Sequence, residues 1–236
     1  MSAAKAEIRY AVADGCGSLR LLDGEIIGAC SSIHNLKEGE SVTATTSNRA
    51  ARIFVVCRGQ VEINGIPCNG RGVYAFVDSN IFITSISDST VLEIQKLLNM
   101  DEKPHTDRLP YFIRYGDAVR YKEDCKSEKT VSRMLLEEGL IPGVALGSVE
   151  TYGKDSIGIH SHPFCDQLFF SFEENDMDVL IDGAKVHMGG NTLLHIPLGS
   201  SHGVDIPDRG CAHYVWIDFI IDERGIEYMS SAHQKI

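Results

Sequence analysis

Three of the nine histidines stand in an arrangement that suggests chemistry. His160-Ser161-His162 is an HxH; on a strand, residues i and i+2 point to the same face, so two imidazoles would aim at one point from one wall of a sheet. Gln167 follows five residues after His162, at the start of the next apolar run. His202 comes after the turn Ile196-Pro197-Leu198-Gly199-Ser200-Ser201, which can deliver a third imidazole opposite the first two. Neutral imidazole is a ligand for a divalent transition ion, and Mn, Fe, Ni, Zn and Co all tolerate imidazole with oxygen. A lone HxH is usually accidental; the full spacing is what makes one metal ion the expectation. His187, His195 and His213 fall outside the pattern and read as packed or surface residues. His34, His105 and His233 are expected in loops or tails.

A metal needs a proton-moving group beside it. Asp218 interrupts the apolar run Ala212-His213-Tyr214-Val215-Trp216-Ile217-Asp218-Phe219-Ile220, where alternation puts Trp216, Asp218 and Ile220 on one face. If that face is interior, Asp218 is a candidate general base: burial raises a carboxyl pKa and a nearby cation lowers it. The alternative is that Asp218 faces solvent or a subunit boundary. Cys165 lies between the ligand positions and reads as a small packed residue rather than a reactive thiol or soft ligand. Phe164, Phe169 and Phe170 read as core rather than as a substrate box. No Gly-rich phosphate loop and no Gly-x-Ser-x-Gly elbow occurs.

The elements that must position these residues are short strands. Arg52–Cys57, Gln60–Ile63, Val73–Phe76, Ile81–Thr84 and Val91–Ile94 are apolar or alternating runs separated by Gly, Asn, Asp and Ser. The same texture returns at Leu168–Phe172, Asp178–Ile181, Thr192–Ile196 and His213–Ile220. This implies an all-β antiparallel sandwich or barrel. The one helical candidate lies within Glu123–Leu136. The halves form a pseudo-repeat: Val61-Glu62-Ile63-Asn64-Gly65 matches Val179-Leu180-Ile181-Asp182-Gly183, a strand running into a hairpin turn whose Gly takes φ > 0. The division expected is a first unit over 1–100, a polar connector with two prolines over 101–121, and a second unit over 122–236.

The segment Gly153…His160-x-His162-x4-Gln167…Gly183 resembles the first cupin motif, and Gly190…Pro197-x-Gly199-x-x-His202 the second. With the repeat, the chain resembles a bicupin, two cupin-type jelly-roll β-barrels in one chain. The resemblance implies metal ligands at His160, His162, Gln167 and His202. Where the usual cupin has Glu, this chain has Gln167, which leaves more of a divalent ion's charge uncompensated and favours an anionic substrate. In the first half the ligand-equivalent positions fall near Thr45, Ser47, Arg52 and Phe82, so that barrel is expected to be degenerate, with Arg52 paired to a nearby acid. A narrower resemblance is to cupin enzymes that linearise unsaturated uronates, carried by His160-x-His162-x4-Gln167, His202-Gly203-Val204, Asp218 and Arg224. It implies Asp218 as acid/base and Arg224 as the holder of a substrate carboxylate; strand alternation with Asp218 puts Trp216 and Ile220 at the same cavity, and Ile220 stands where that pattern has an aromatic residue. The expected reaction is metal-assisted isomerisation, tautomerisation or lyase chemistry on a small polar, sugar-acid-like substrate. Two other readings stand: a non-haem Fe(II) dioxygenase, and a non-enzymatic small-molecule sensor. A homodimer is expected on family grounds.

Composition bounds the partners. The 236 residues are 43% hydrophobic, and Lys plus Arg (22) against Asp plus Glu (33) gives a net charge of -11. That disfavours nucleic acid and anionic membrane surfaces. No apolar run reaches membrane-spanning length. Met1–Glu7 lacks the apolar run of a signal peptide, and the seven scattered cysteines contain no CxxC. Reduced thiols in the cytoplasm are the expectation.

Overall fold

The computed structural model describes residues 9–13, 15–232 and 234–235. The chain divides into two compact units. One comprises residues 13–118 with 139–142; the other comprises the described residues up to Val12, Val119–Glu138 and residues from Gly143 on. The stretch read as a connector is therefore structured. Tyr111–Arg114 pairs with Gly72–Val77 in the first unit, and Val119–Lys122 pairs with Val131–Ile141 in the second. Its polar surface hid two short strands, Tyr111–Arg114 at a sheet edge and Val119–Lys122 between Val131–Ile141 and Gln234–Lys235.

In the first unit a six-stranded sheet runs in the order Tyr111–Arg114, Gly72–Val77, Ala50–Arg58, Ser89–Leu97, Ala29–Leu36, Gly17–Leu21. A four-stranded sheet orders Ser41–Thr45, Asn80–Ser85, Gln60–Ile63, Ile66–Asn69. Phe54, Tyr74 and Phe76 pack with Ile63, Ile81 and Ile83 into the barrel core. The second unit repeats the plan. Its large sheet has Thr192–Ile196, Cys165–Ser171, Cys211–Ile220 and Val144–Tyr152 at the centre, with Arg9–Val12 added beside Thr192–Ile196. Its small sheet orders Asp155–His160, His202–Ile206, Met177–Ile181, Ala184–Met188. All pairings are antiparallel, and the nearly all-β chain is two jelly-roll barrels.

The repeat seen in sequence is a repeat of turns. Asn64-Gly65 and Asp182-Gly183 each close a two-residue hairpin with both residues at positive φ, at 50° and 78° and at 47° and 80°. That is the type I′ geometry that matches strand twist.

The helical expectation is corrected. Most of Glu123–Leu136 is loop and strand, and Ser132–Leu136 is buried throughout. A run buried on both faces shows neither helical nor strand periodicity. The one α-helix among the described residues is Glu223–Ala232, started by Asp222, whose side chain accepts the Arg224 amide at 2.9 Å as an N-cap. No helix among the described residues is long and apolar enough to cross a membrane. No cysteine forms a disulfide.

Candidate metal centre

The site sits inside the second barrel, where its two sheets open. His160 ends the strand Asp155–His160 and lies directly across from His202, the first residue of its neighbour. His162 lies just past the strand end, in the turn before Cys165–Ser171. The HxH therefore converges through a strand and its turn rather than through two positions of one strand. Ring centroids are 4.5 Å apart for His160 and His202, 5.0 Å for His160 and His162, and 5.4 Å for His162 and His202. One nitrogen from each lies within 4.8 Å of the others.

Local carbonyls fix the tautomers. His160 Nδ1 donates to the Gly158 carbonyl at 2.8 Å, and His202 Nδ1 to the Ser200 carbonyl at 3.2 Å. Both rings are thereby left with Nε2 as the free lone pair. In His202 that nitrogen is buried with no hydrogen-bond partner, an uncommon cost unless something else binds it. Burial, and then the neighbouring His160, pull the His202 pKa down to about 4, so the ring stays neutral, as a ligand must be. The donor set thus fits a divalent ion.

Gln167 and Asp218 face each other across paired strands, and the Gln167 amide donates to Asp218 Oδ1 at 2.7 Å. With its N–H engaged, the amide has its oxygen left to offer as an acceptor. Asp218 is 0% exposed and lines the cavity, so of the two orientations open to it the structure takes the interior one. Trp216 and Tyr214, two and four residues back, line the same wall. Trp216 Nε1 donates to the Tyr121 hydroxyl at 3.0 Å. Ile220 packs in the apolar core and not in the cavity wall. Phe169 lines the cavity edge-on to His202 at 5.7 Å, so it serves the core and the site together. Cys165 is buried, and burial pushes its thiol pKa up, against any role as a reactive thiolate.

The structure does not bring Arg224 to this cavity. It lies in the terminal helix, its side chain 70% exposed, bonded to Asp222 at 2.6 Å and stacked over Phe164 at 4.8 Å. Two residues that sequence reasoning missed do line the cavity, Glu123 and Lys126. They form a buried ion pair at 2.7 Å. No motif spacing could have found them, because they come from a turn outside the repeat. The cavity measures about 380 Å³, the open space at its mouth included.

The first barrel answers the same positions differently, and two counterparts shift from those expected near Phe82 and Thr45, by one position and by three. Ile181 pairs with His202, and its counterpart Ile63 pairs with Ile83, not Phe82. Phe82 is 60% exposed and Ile83 0%, as a one-residue shift in a strand requires. Opposite Ile83 lies Val42, the counterpart of His160. Arg52 does occupy the place of Gln167, since it pairs with Gln95 and Phe76 as Gln167 pairs with Asp218 and Ile196. Arg52 is ion-paired to Glu93, whose other oxygen meets His34 Nε2 at 2.7 Å. Ser18 Oγ bonds His34 Nδ1 at 2.7 Å. His34, expected in a loop, is thus a buried strand residue; His105 precedes a short 3-10 turn, and His233 lies outside the described residues. His195 and His213 are buried on strands, held by Asp166 at 2.9 Å and Glu174 at 2.5 Å.

No family profile matches the sequence, and no curated protein does. Solved structures do match in fold. An IolB-like protein from Salmonella typhimurium has a TM-score of 0.71 at 12% identity, covering 91% of this chain and 93% of that one. A cupin 2 conserved barrel domain protein from Leptotrichia buccalis has a TM-score of 0.58 at 15% identity, covering 94% and 92%. Bacillus subtilis oxalate decarboxylase, known with Mn(II) centres, has a TM-score of 0.64 at 10% identity, covering 90% and 76%. This chain therefore has the cupin fold, as two cupin-type barrels, with one cluster of three imidazoles among its described residues.

Proposed function

We propose that the chain is a metal-dependent enzyme. It would act on a small anionic, sugar-acid-like substrate by isomerisation, tautomerisation or lyase chemistry. The observation that carries this is the convergence of His160, His162 and His202, with a buried and unsatisfied His202 Nε2, beside the Gln167–Asp218 pair. These residues would hold one divalent ion, with the Gln167 carbonyl oxygen as a fourth ligand. When bound, that ion would polarise a substrate carbonyl or hydroxyl oxygen. Asp218 stands next to the ligands and is not one itself. It would take a proton from the carbon beside the polarised group and return it to a neighbouring atom. The Gln167 amide holds the carboxylate in position for that transfer, while Trp216 and Phe169 limit water access. The Mn(II) centres of the Bacillus subtilis protein lend support to the metal, not to the substrate.

Metal analysis tests the reading. Protein reconstituted with Mn, Fe, Co, Ni or Zn should hold about one ion per chain, and His160→Ala/His162→Ala should hold less than about a tenth of that with its circular dichroism unchanged. Full occupancy in the double variant would overturn the ligand assignment. Turnover of a sugar-acid panel should proceed equally with and without O2; dependence on O2 would replace proton transfer with dioxygenase chemistry.

A further inference from the structure

The ion pair Glu123–Lys126 belongs to the same cavity as the imidazoles but is absent from the cupin motifs. Lys126 is only 8% exposed and Glu123 10%. Lys126 Nζ also donates to Ser132 Oγ at 3.1 Å and, more weakly, to the Tyr121 hydroxyl at 3.5 Å, the long contact that a stronger acceptor would displace. The turn that carries the pair is fastened to the strand that carries His160. The Gly158 amide donates to the Cys125 carbonyl at 2.8 Å, and Lys126 bridges to Ile157. A lysine is rarely buried unless its charge has a use, because its long stem lets it reach water at little cost. Here the stem is anchored so that the ammonium stays at the cavity wall.

Charge decides what that ammonium is for. Lys126 contributes one formal positive charge to the lining, and Glu123 and Asp218 one negative charge each. With a divalent ion at the imidazoles, the lining carries one net positive charge. Two cations facing one cavity repel unless an anion lies between them. We infer that Lys126 is the anion-binding group of this site: it holds the carboxylate of a small substrate whose hydroxyl or carbonyl oxygen reaches the imidazole triad. Glu123 is the counter-ion that keeps Lys126 in place and in part neutralised. This rests on the metal-site reading above, and it gives Lys126 the role that the narrower resemblance gave Arg224. The cramped cavity restricts the ligand to a small acid.

The test measures binding rather than turnover. The probes are glycolate and its neutral isostere glycolamide, titrated into the Mn(II)-loaded full-length chain and read by water-proton relaxation. Glycolate should bind about tenfold or more tightly than glycolamide, since only the carboxylate makes a charge-assisted bond. Lys126→Met should hold its metal and lose this preference, while Lys126→Arg should keep it. Glu123→Gln, which frees Lys126 of its counter-ion without emptying the space, should bind glycolate more tightly than the parent. A glycolate preference that survives Lys126→Met, or weaker glycolate binding in Glu123→Gln, would overturn the inference and leave the metal site standing. Failure of the parent chain to take up any of Mn, Fe, Co, Ni and Zn would sink the metal reading, and this inference with it.

Discussion

Arg52 offers a test of how the first barrel fills its interior. It stands where Gln167 stands in the second barrel, and its guanidinium pairs with Glu93, which also receives His34. The Arg52 side chain is 19% exposed and that of Glu93 8%, so water screens the pair poorly. Unit charges ~3 Å apart attract by ~5.5 kcal/mol at an effective dielectric of ~20. Losing one partner forfeits that attraction and recovers only the desolvation cost of the deleted charge. Arg52→Met should therefore destabilise the unit by ~3 kcal/mol, at the lower end of the range for a broken buried pair. Adding Glu93→Gln removes the stranded charge while keeping an acceptor for His34, so the double variant should lie only ~1 kcal/mol below the parent. Hydrogen exchange localised to Ala50–Arg58 and Ser89–Leu97 reads this directly: ~3 kcal/mol is a loss of protection of ~10²-fold. The same network sets a pH dependence. Burial first, and then Arg52, lower the His34 pKa below its ordinary value of 6.5. The unfolded chain thus binds the proton more readily than the folded one, and stability present above pH 6.5 is lost as pH falls below it. Arg52→Met should flatten that acid limb. Equal, additive losses in the single and double variants, or an unchanged acid limb, would refute the pairing argument.

Two further outcomes follow from the second barrel. Asp218→Asn preserves the shape and the contact with Gln167 but removes the proton acceptor; metal content should hold while turnover falls ~10²-fold or more, which assay alongside metal analysis checks. Gln167→Glu would put a second carboxyl 2.7 Å from Asp218, where two charges would repel by ~6 kcal/mol at a dielectric of ~20, so the metal-free pair keeps a proton that the unfolded chain releases at neutral pH, which costs stability. The metal-free variant should therefore melt earlier than the parent, while metal retention rises and turnover drops; identical melting curves in EDTA would deny the amide an electrostatic role.

The imidazole cluster of the second barrel was legible because its residues stand at short spacings. HxH, Gln five residues on, and a Pro-x-Gly turn before His202 are local patterns, and antiparallel pairing brings them together with no long-range information. Asp218 was legible as an interruption of an apolar run, although sequence left its face open. Lys126 and Glu123 were not legible: a buried ion pair and a solvated one have the same residue types, and only the Cys125–Gly158 and Lys126–Ile157 contacts show which it is. The short strands at Tyr111–Arg114 and Val119–Lys122 were hidden for a related reason. Strands of four residues at or next to a sheet edge carry polar side chains that read as linker. The reading of Phe82 shows how sharply the strand period acts, since one position separates an exposed ring from the buried Ile83.

The two barrels give different answers to one physical problem. A jelly roll of this size directs side chains from facing strands to a common interior point, and polar atoms there must be satisfied or absent. The first barrel places Val42 and Ile83 at the counterparts of His160 and His202, and sets Arg52 against Glu93 and His34. Its cation is covalently attached and always charged, so the interior is complete without a ligand. The second barrel instead directs neutral lone pairs inward, holds two of them by Nδ1 bonds to backbone carbonyls, and leaves His202 Nε2 unsatisfied. We propose that an interior arranged in that way takes up an exchangeable ligand, which the paired charges of the first barrel do not require.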